Sequence, residues 1–139
     1  GRRFEHKGNY HGAEVYDDYA HHPGELHALL TTARELGYKR VICAFQPHTY
    51  SRTKALFSEF VKALKLADLT ILMEIFAARE TNTLGISSKD LADAIPGAIY
   101  CKTLDEVTET LRSVARDGDL ILTVGAGDIY LAGEKLLVQ

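Results

Sequence analysis

The sequence predicts an α/β domain: a Rossmann-like, doubly wound, mostly parallel sheet with helices on both faces. Three observations point there. Short apolar runs alternate with amphipathic segments along the chain. Several of those runs, such as VICAF and DLILTV, are continuous, as in strands covered on both faces. Glycine, proline and capping residues punctuate the junctions. Such alternation implies right-handed β–α–β crossovers.

Along the chain, residues 4–7 and 14–18 read as extended segments joined by a Gly/Asn/His loop over residues 8–12. Pro23 suits the first turn of a helix, where its missing N–H costs nothing, and Glu25 suits the positive helix end. Leu26, Leu29, Leu30, Ala33 and Leu36 keep helical spacing until Gly37. Residues 41–45 form the next strand. Leu56, Phe57, Phe60, Val61 and Leu64 mark a second helix face, with Ser51 as a candidate cap for the helix that follows the strand. Residues 69–75 (LTILMEI) predict a third strand, and residues 77–85 a polar surface loop. SSKDLADAI predicts a short helix opened by Ser87 or Ser88, followed by a short strand over residues 98–101. Thr103 and Glu106 fit a capping box for the helix of Leu104, Val107, Leu111 and Val114. Residues 119–124 are the last strand, and GAGD leads into a helix ending near Leu137.

Residues 1–139 read as one domain, large enough for a real core. With 46% hydrophobic and 25% charged residues and a formal charge of −3, the chain shows neither a basic excess for nucleic acid nor a membrane-spanning run. Cys43 and Cys101 sit in apolar runs and are expected as buried free thiols of a cytoplasmic protein. The opening GRRFEHKG, without methionine, is compatible with a domain excised from a longer protein.

Ligands of open α/β sheets bind beyond the carboxyl ends of the strands. Three loops there hold the unusual residues: Asp18-Tyr19-Ala20-His21-His22-Pro23, Gln46 to Thr53, and Gly125-Ala126-Gly127-Asp128. In the first, titratable groups gather at the binding edge, although Asp17 or Asp18 also fits a purely local role, accepting backbone N–H bonds. In the second, Arg52 has the wrong sign for the start of a helix, so stability does not ask for it, while its guanidinium suits a carboxylate or phosphate. In the third, GAGDIY matches half of a dinucleotide fingerprint, with Tyr130 where the third glycine belongs, and fits a tight strand-to-helix turn equally well. A zinc or manganese site from Asp18, His21, His22 and His48 is a further reading. No Walker A loop or nucleophile elbow is present.

DDYAHHP, then FQPHTYSRT, then GAGDI, in that order, resemble the C-terminal domain of the Mur ligases over essentially all of the chain. DDYAHHP is shared with the murein tripeptide-recycling member; QPH-x-YSRT favours the member that joins L-alanine to UDP-N-acetylmuramate. The resemblance implies a cytoplasmic, three-domain enzyme of peptidoglycan synthesis that uses ATP and Mg2+. Its N-terminal domain would bind the UDP-sugar, and its central domain would carry the P-loop lysine and magnesium ligands. Both are absent here, so this chain alone is expected to be inactive. The lactyl carboxylate would be phosphorylated and the amine of L-alanine would attack the acyl phosphate. On this sequence the resemblance implies that Asp18 lies near the ATP ribose, that Tyr19 and His21 line the amino-acid pocket, with His21 a candidate catalytic base, and that His48 and Arg52 hold the L-alanine carboxylate. Gly125, Gly127 and Asp128 are loop contacts, and no metal ligand is implied. Many members have arginine where this chain has Thr49, so its clamp has less help. A stand-alone metallohydrolase and a non-catalytic nucleotide- or partner-binding module are the competing classes.

Overall fold

The computed structural model describes residues 3–138. Strand β1 (Glu5–Tyr10) pairs antiparallel with β2 (Ala13–Asp18), and helix α1 (Pro23–Arg34) follows. Then come β3 (Arg40–Phe45), α2 (Tyr50–Ala55), α3 (Phe57–Leu64), β4 (Leu69–Met73), α4 (Ser88–Asp93), β5 (Ile99–Cys101), α5 (Leu104–Val114), β6 (Asp119–Val124) and α6 (Tyr130–Leu137). The sheet order is β1-β2-β6-β3-β4-β5, and every pair after the first is parallel. This is the doubly wound α/β class expected from the alternating pattern.

Strand residues alternate between the two faces. Val41, Cys43, Phe45, Leu120, Leu122 and Val124 pack with Leu26 and Leu30 of α1, Phe60 and Leu64 of α3, and Leu91 of α4. Ile42, Ala44, Ile71 and Ile121 pack on the other face with Val107 and Leu111 of α5 and Leu136 of α6. Each fully buried Leu, Ile or Phe contributes about 1.5–3 kcal/mol against its conformational cost. Cys43 and Cys101 are buried and unpaired with each other, and burial pushes the Cys43 thiol up to about 12. Among the described residues, no helix is long and apolar enough to cross a membrane.

Four boundaries differ from the sequence expectation, each for a physical reason. The first hairpin is tighter: β1 continues to Tyr10 and only His11 and Gly12 turn. The register slips between His6 and Gly8, and Gly8, at φ 154°, lets the strand absorb that bulge while Leu137 packs where a side chain would project. The segment after β3 is two helices, broken at Leu56 (φ −113°, ψ 24°) with no proline or glycine to announce it. Its cap is Thr49 instead of Ser51, which lies within the first turn.

The third strand stops at Met73 because the Glu74 carboxylate is held by the start of α4. It accepts from Ser87 Oγ (2.7 Å), Ser88 N (3.0 Å), Tyr100 Oη (2.6 Å) and its neighbour Ile75 N (2.9 Å). Ser87 is the N-cap of α4, and Ser87 N donates back to Asp90. At α5, Thr103 Oγ1 accepts from Glu106 N, while the Glu106 side chain reaches one residue further back, to Lys102 N.

The amino ends of β3 and β6 are fastened together. Arg40 donates Nε (3.1 Å) and Nη2 (2.7 Å) to the two oxygens of buried Asp119, its register partner, and Nη2 also reaches Val114 O at 2.6 Å. Asp119 accepts Arg116 N as well, and Asp68 accepts Val41 N. Bidentate charge-assisted bonds with both carboxylate oxygens occupied are the arrangement in which a buried ion pair is tolerated.

Candidate functional site

At the opposite, carboxyl edge, β2, β6 and β3 end level: Asp18 lies opposite Val124, and Val124 opposite Phe45. The three loops singled out above therefore leave the sheet side by side. Gly125 N donates to Asp18 O (3.1 Å) and Gln46 N to Val124 O (3.0 Å), which prolongs the ladder into the loops.

In the first loop Asp18 is only 5% exposed. Its Oδ1 accepts Ala20 N at 2.9 Å and Arg3 Nη1 at 3.3 Å, and Oδ2 accepts Phe4 N at 2.8 Å. Asp17, equally buried, accepts from Thr123 Oγ1. Asp18 thus has a local task, shaping the turn and seating the segment before β1, while Asp17 ties β2 to β6. Asp18 also borders a surface groove of about 590 Å³ formed with Arg3, Phe4, Glu25 and Leu29. Tyr19 is exposed, its ring edge-on to that of His21 at 5.2 Å, and His21 Nδ1 lies 3.1 Å from Tyr19 O. His22 is the N-cap position of α1 and Pro23 its first residue. Glu25 reaches back to the N–H groups of His21 and His22, and the His21 bond is the main cause of its lowered pKa.

The second loop is held by residues far away in sequence. Phe76 forms a parallel bridge with His48: its N–H donates to Pro47 O (2.9 Å) and its carbonyl accepts Thr49 N (2.8 Å). The Phe76 ring stacks on the His48 imidazole, centroids 5.4 Å apart and planes 18° from parallel. Thr49 has φ 73° and ψ 145°, where a β-branched residue is strained at a cost of about 1–3 kcal/mol. The Glu80 carboxylate accepts Tyr50 N (2.7 Å), Ser51 N (3.0 Å) and the Ser51 hydroxyl, and so covers the open start of α2. Arg52 projects back from this first turn, its Nη1 3.4 Å from His48 Nδ1 and 3.3 Å from His48 O. The His48 ring lies 6.1 Å from that of His21.

Tyr19, His21, His48 and Arg52 thus form one continuous row across two loops. Burial, the Arg52 charge and His21 together lower the His48 pKa, against a weaker opposing pull from Glu80. His48 is therefore a neutral imidazole at pH 7, with Nδ1 accepting from the guanidinium, and Arg52 is the fixed cation of the row.

In the third loop, glycine is dictated by close approach. A Cβ on Gly125 would lie 2.7 Å from Gln46 O; one on Gly127 would lie 2.5 Å from Gln46 Oε1 and 2.8 Å from the Phe76 ring. Gln46, 2% exposed, donates Nε2 to Asp128 Oδ1 (2.8 Å) and accepts Ile129 N at Oε1 (3.1 Å). The contacts seen at Gly125, Gly127 and Asp128 are those of a tight strand-to-helix turn. Gln46, Phe76 and Glu80 were not among the candidate site residues. A polar residue at a strand end hints at Gln46, but no spacing links residues 76 and 80 to a helix some thirty positions earlier.

The metal reading of Asp18, His21, His22 and His48 has no such geometry: among the described residues, no three His, Cys, Asp or Glu side chains are grouped to hold an ion.

A Rossmann-like, mostly parallel sheet with three polar loops level at its carboxyl edge defines a ligand-binding α/β domain, with the Arg52 cation and the neutral His48 imidazole on the rim. Residues 2–127 match the family model described as Mur ligase, glutamate ligase domain, and the chain belongs to this family. It is 51% identical over 142 aligned residues to the UDP-N-acetylmuramate–L-alanine ligase of Caldanaerobacter subterraneus subsp. tengcongensis, and 51% over 140 to that of Lachnospira eligens. These alignments cover 99% and 98% of this chain but only 31% and 30% of the relatives, so the chain spans about a third of their length. Among solved structures, the UDP-N-acetylmuramate–alanine ligase of Thermotoga maritima superposes with a TM-score of 0.78 at 28% identity, over 98% of this chain and 29% of that one.

Proposed function

We propose that this chain is the C-terminal, amino-acid- and ATP-closing domain of a cytoplasmic ligase that joins L-alanine to UDP-N-acetylmuramate in peptidoglycan synthesis. The observation that carries the reading is the row Tyr19–His21–His48–Arg52, with one fixed cation beside the neutral His48 imidazole at the strand ends. Likeness to L-alanine ligases at 51% identity across 99% of the chain supports the choice of reaction.

In this reading Arg52, with His48 beside it, holds the carboxylate of L-alanine while Tyr19 and His21 wall the pocket. Fixing the carboxylate leaves the amine aimed outward, toward the activated carboxyl group. Such placement is the larger share of the catalysis available to a domain without a nucleophile of its own. His21 is the candidate acceptor for the amine proton. ATP would supply the phosphoryl group that activates the lactyl carboxylate. Asp18, beside its groove, would face the ribose, and Gly125, Gly127 and Asp128 the neighbouring loop contacts. Mg2+ would be held by a central domain supplied by the rest of the protein, as the UDP-sugar would be by an N-terminal one.

The test is to join the two upstream domains to this chain and measure L-alanine-dependent phosphate release with ATP and UDP-N-acetylmuramate. Release from the full enzyme and none from the domain alone is expected; no release from the full enzyme would overturn the proposal.

A further inference from the structure

Arg52 stands on a helix of only six residues, broken from its successor at Leu56 and preceded by a strained residue. Nothing local makes that helix a rigid mount. The Thr49 hydroxyl, which should cap it, accepts Arg52 N at 3.4 Å, the longest bond of the group, and the first two helical N–H groups point away from it. What they meet is Glu80, from the loop after β4. One oxygen accepts both Tyr50 N and Ser51 N, and the other accepts the Ser51 hydroxyl.

The same loop grips the preceding residues through the Phe76 backbone, which bonds Pro47 O and Thr49 N on either side of His48. Two anchors four residues apart therefore hold one short stretch, Pro47 to Ser51, directly before Arg52, and both come from one loop. The turn between them is tightened by Glu80 N donating to Ala77 O (3.0 Å), with Ala78 at φ 55°.

We infer that Glu80 is a positioning residue for amino-acid binding: it caps α2 from outside and thereby fixes the Arg52 guanidinium against His48. This rests on the reading of Arg52 as the carboxylate clamp. Glu80 touches no substrate in this account. Its task is to keep Thr49 in its strained conformation and α2 in register, so that the cation is in place before L-alanine arrives. The acceptor geometry, and not the negative charge, carries the effect. A glutamine, whose amide oxygen can take both N–H bonds and whose amide nitrogen can donate to the Ser51 hydroxyl, preserves it.

The experiment uses the full-length enzyme and compares Glu80→Ala, Glu80→Gln, Arg52→Ala and the double variant Arg52→Ala/Glu80→Ala. Glu80→Ala is expected to raise KM for L-alanine on the order of ten-fold, the size of losing a good helix cap, with kcat and the KM for ATP changed less than about two-fold. Glu80→Gln is expected to restore most of the affinity. Adding Glu80→Ala to Arg52→Ala is expected to cost little more, because the two act through one contact. An unchanged KM for L-alanine in Glu80→Ala, equal losses in the Ala and Gln variants, or full additivity would each overturn the inference. Arg52→Ala separates the two levels. If it raises KM for L-alanine and Glu80→Ala does not, only the positioning role fails; if it leaves that KM unchanged, the clamp itself fails and the inference with it. Should Glu80→Ala not fold, Glu80→Gln in 1H–15N spectra decides: retained Tyr50 and Ser51 amide protection supports the cap, and its loss overturns it.

Discussion

At the scale of single residues, the site turns on one guanidinium and one imidazole 3.4 Å apart, and each gives a separable expectation. Arg52→Ala in the full enzyme should raise KM for L-alanine far more than that for ATP, since a charge-assisted carboxylate contact is worth on the order of 2–4 kcal/mol. Parallel titrations of both substrates check this, and equal effects would remove the clamp from the mechanism. His48 makes a prediction about stability. Folding lowers its pKa below the ordinary 6.5, because burial and the neighbouring Arg52 and His21 disfavour the charged ring. Between the folded value and 6.5 the unfolded chain binds more protons, so stability rises with pH through that window; below it the full penalty applies. His48→Gln should flatten the pH dependence of the urea midpoint just below 6.5 and leave it unchanged above. Arg52 was readable in the sequence for a physical reason: a cation at the start of a helix opposes the dipole and asks for another explanation. His48 was conspicuous only through its company.

At the scale of elements, the third loop is a wedge closed on the second. Gly127→Ala would drive a methyl group into Gln46 Oε1 and the Phe76 ring at once. The expected loss is about 1–3 kcal/mol, with the Gln46–Asp128 bond broken and the His48 stack displaced, visible as a lower urea midpoint together with a raised KM for L-alanine. The strands and helices themselves were largely legible, because apolar runs such as DLILTV and helical spacing such as Leu104, Val107, Leu111 report burial directly. What escaped was non-local. The break at Leu56 carries no breaker residue, since it follows from where Glu80 and Thr49 start α2 and where Phe60 must enter the core. Phe76 and Glu80 lie in a stretch that reads as a polar surface loop. Their partners lie in the loop of the neighbouring strand β3, some thirty residues earlier, where no periodicity in the sequence can show them. Gly8 read as loop because a glycine in a bulge and a glycine in a turn look alike in sequence.

At the scale of the whole molecule, one acid-sensitive point lies away from the proposed site. Glu74 is partly buried, and burial alone would raise its pKa; bonds from Tyr100, Ser88, Ile75 and Ser87 outweigh that and bring it below the ordinary 4.5. Its contribution is therefore complete above 4.5 and disappears as pH falls through the folded value. Glu74→Gln should reduce the steepness of acid unfolding below pH 4.5, followed by circular dichroism, with little change in the His48 window. The Arg40–Asp119 lock has a broader consequence. It ties the two central strands at the end remote from the carboxyl edge where the three loops lie, with Val114 and Arg116 drawn into the same knot. Structural integrity and chemical identity are thereby assigned to opposite poles of one sheet. A frame secured at one pole leaves the other free to be re-equipped. Descendants of such a domain could exchange their rim loops for ones that grip a different ligand without renegotiating the architecture beneath.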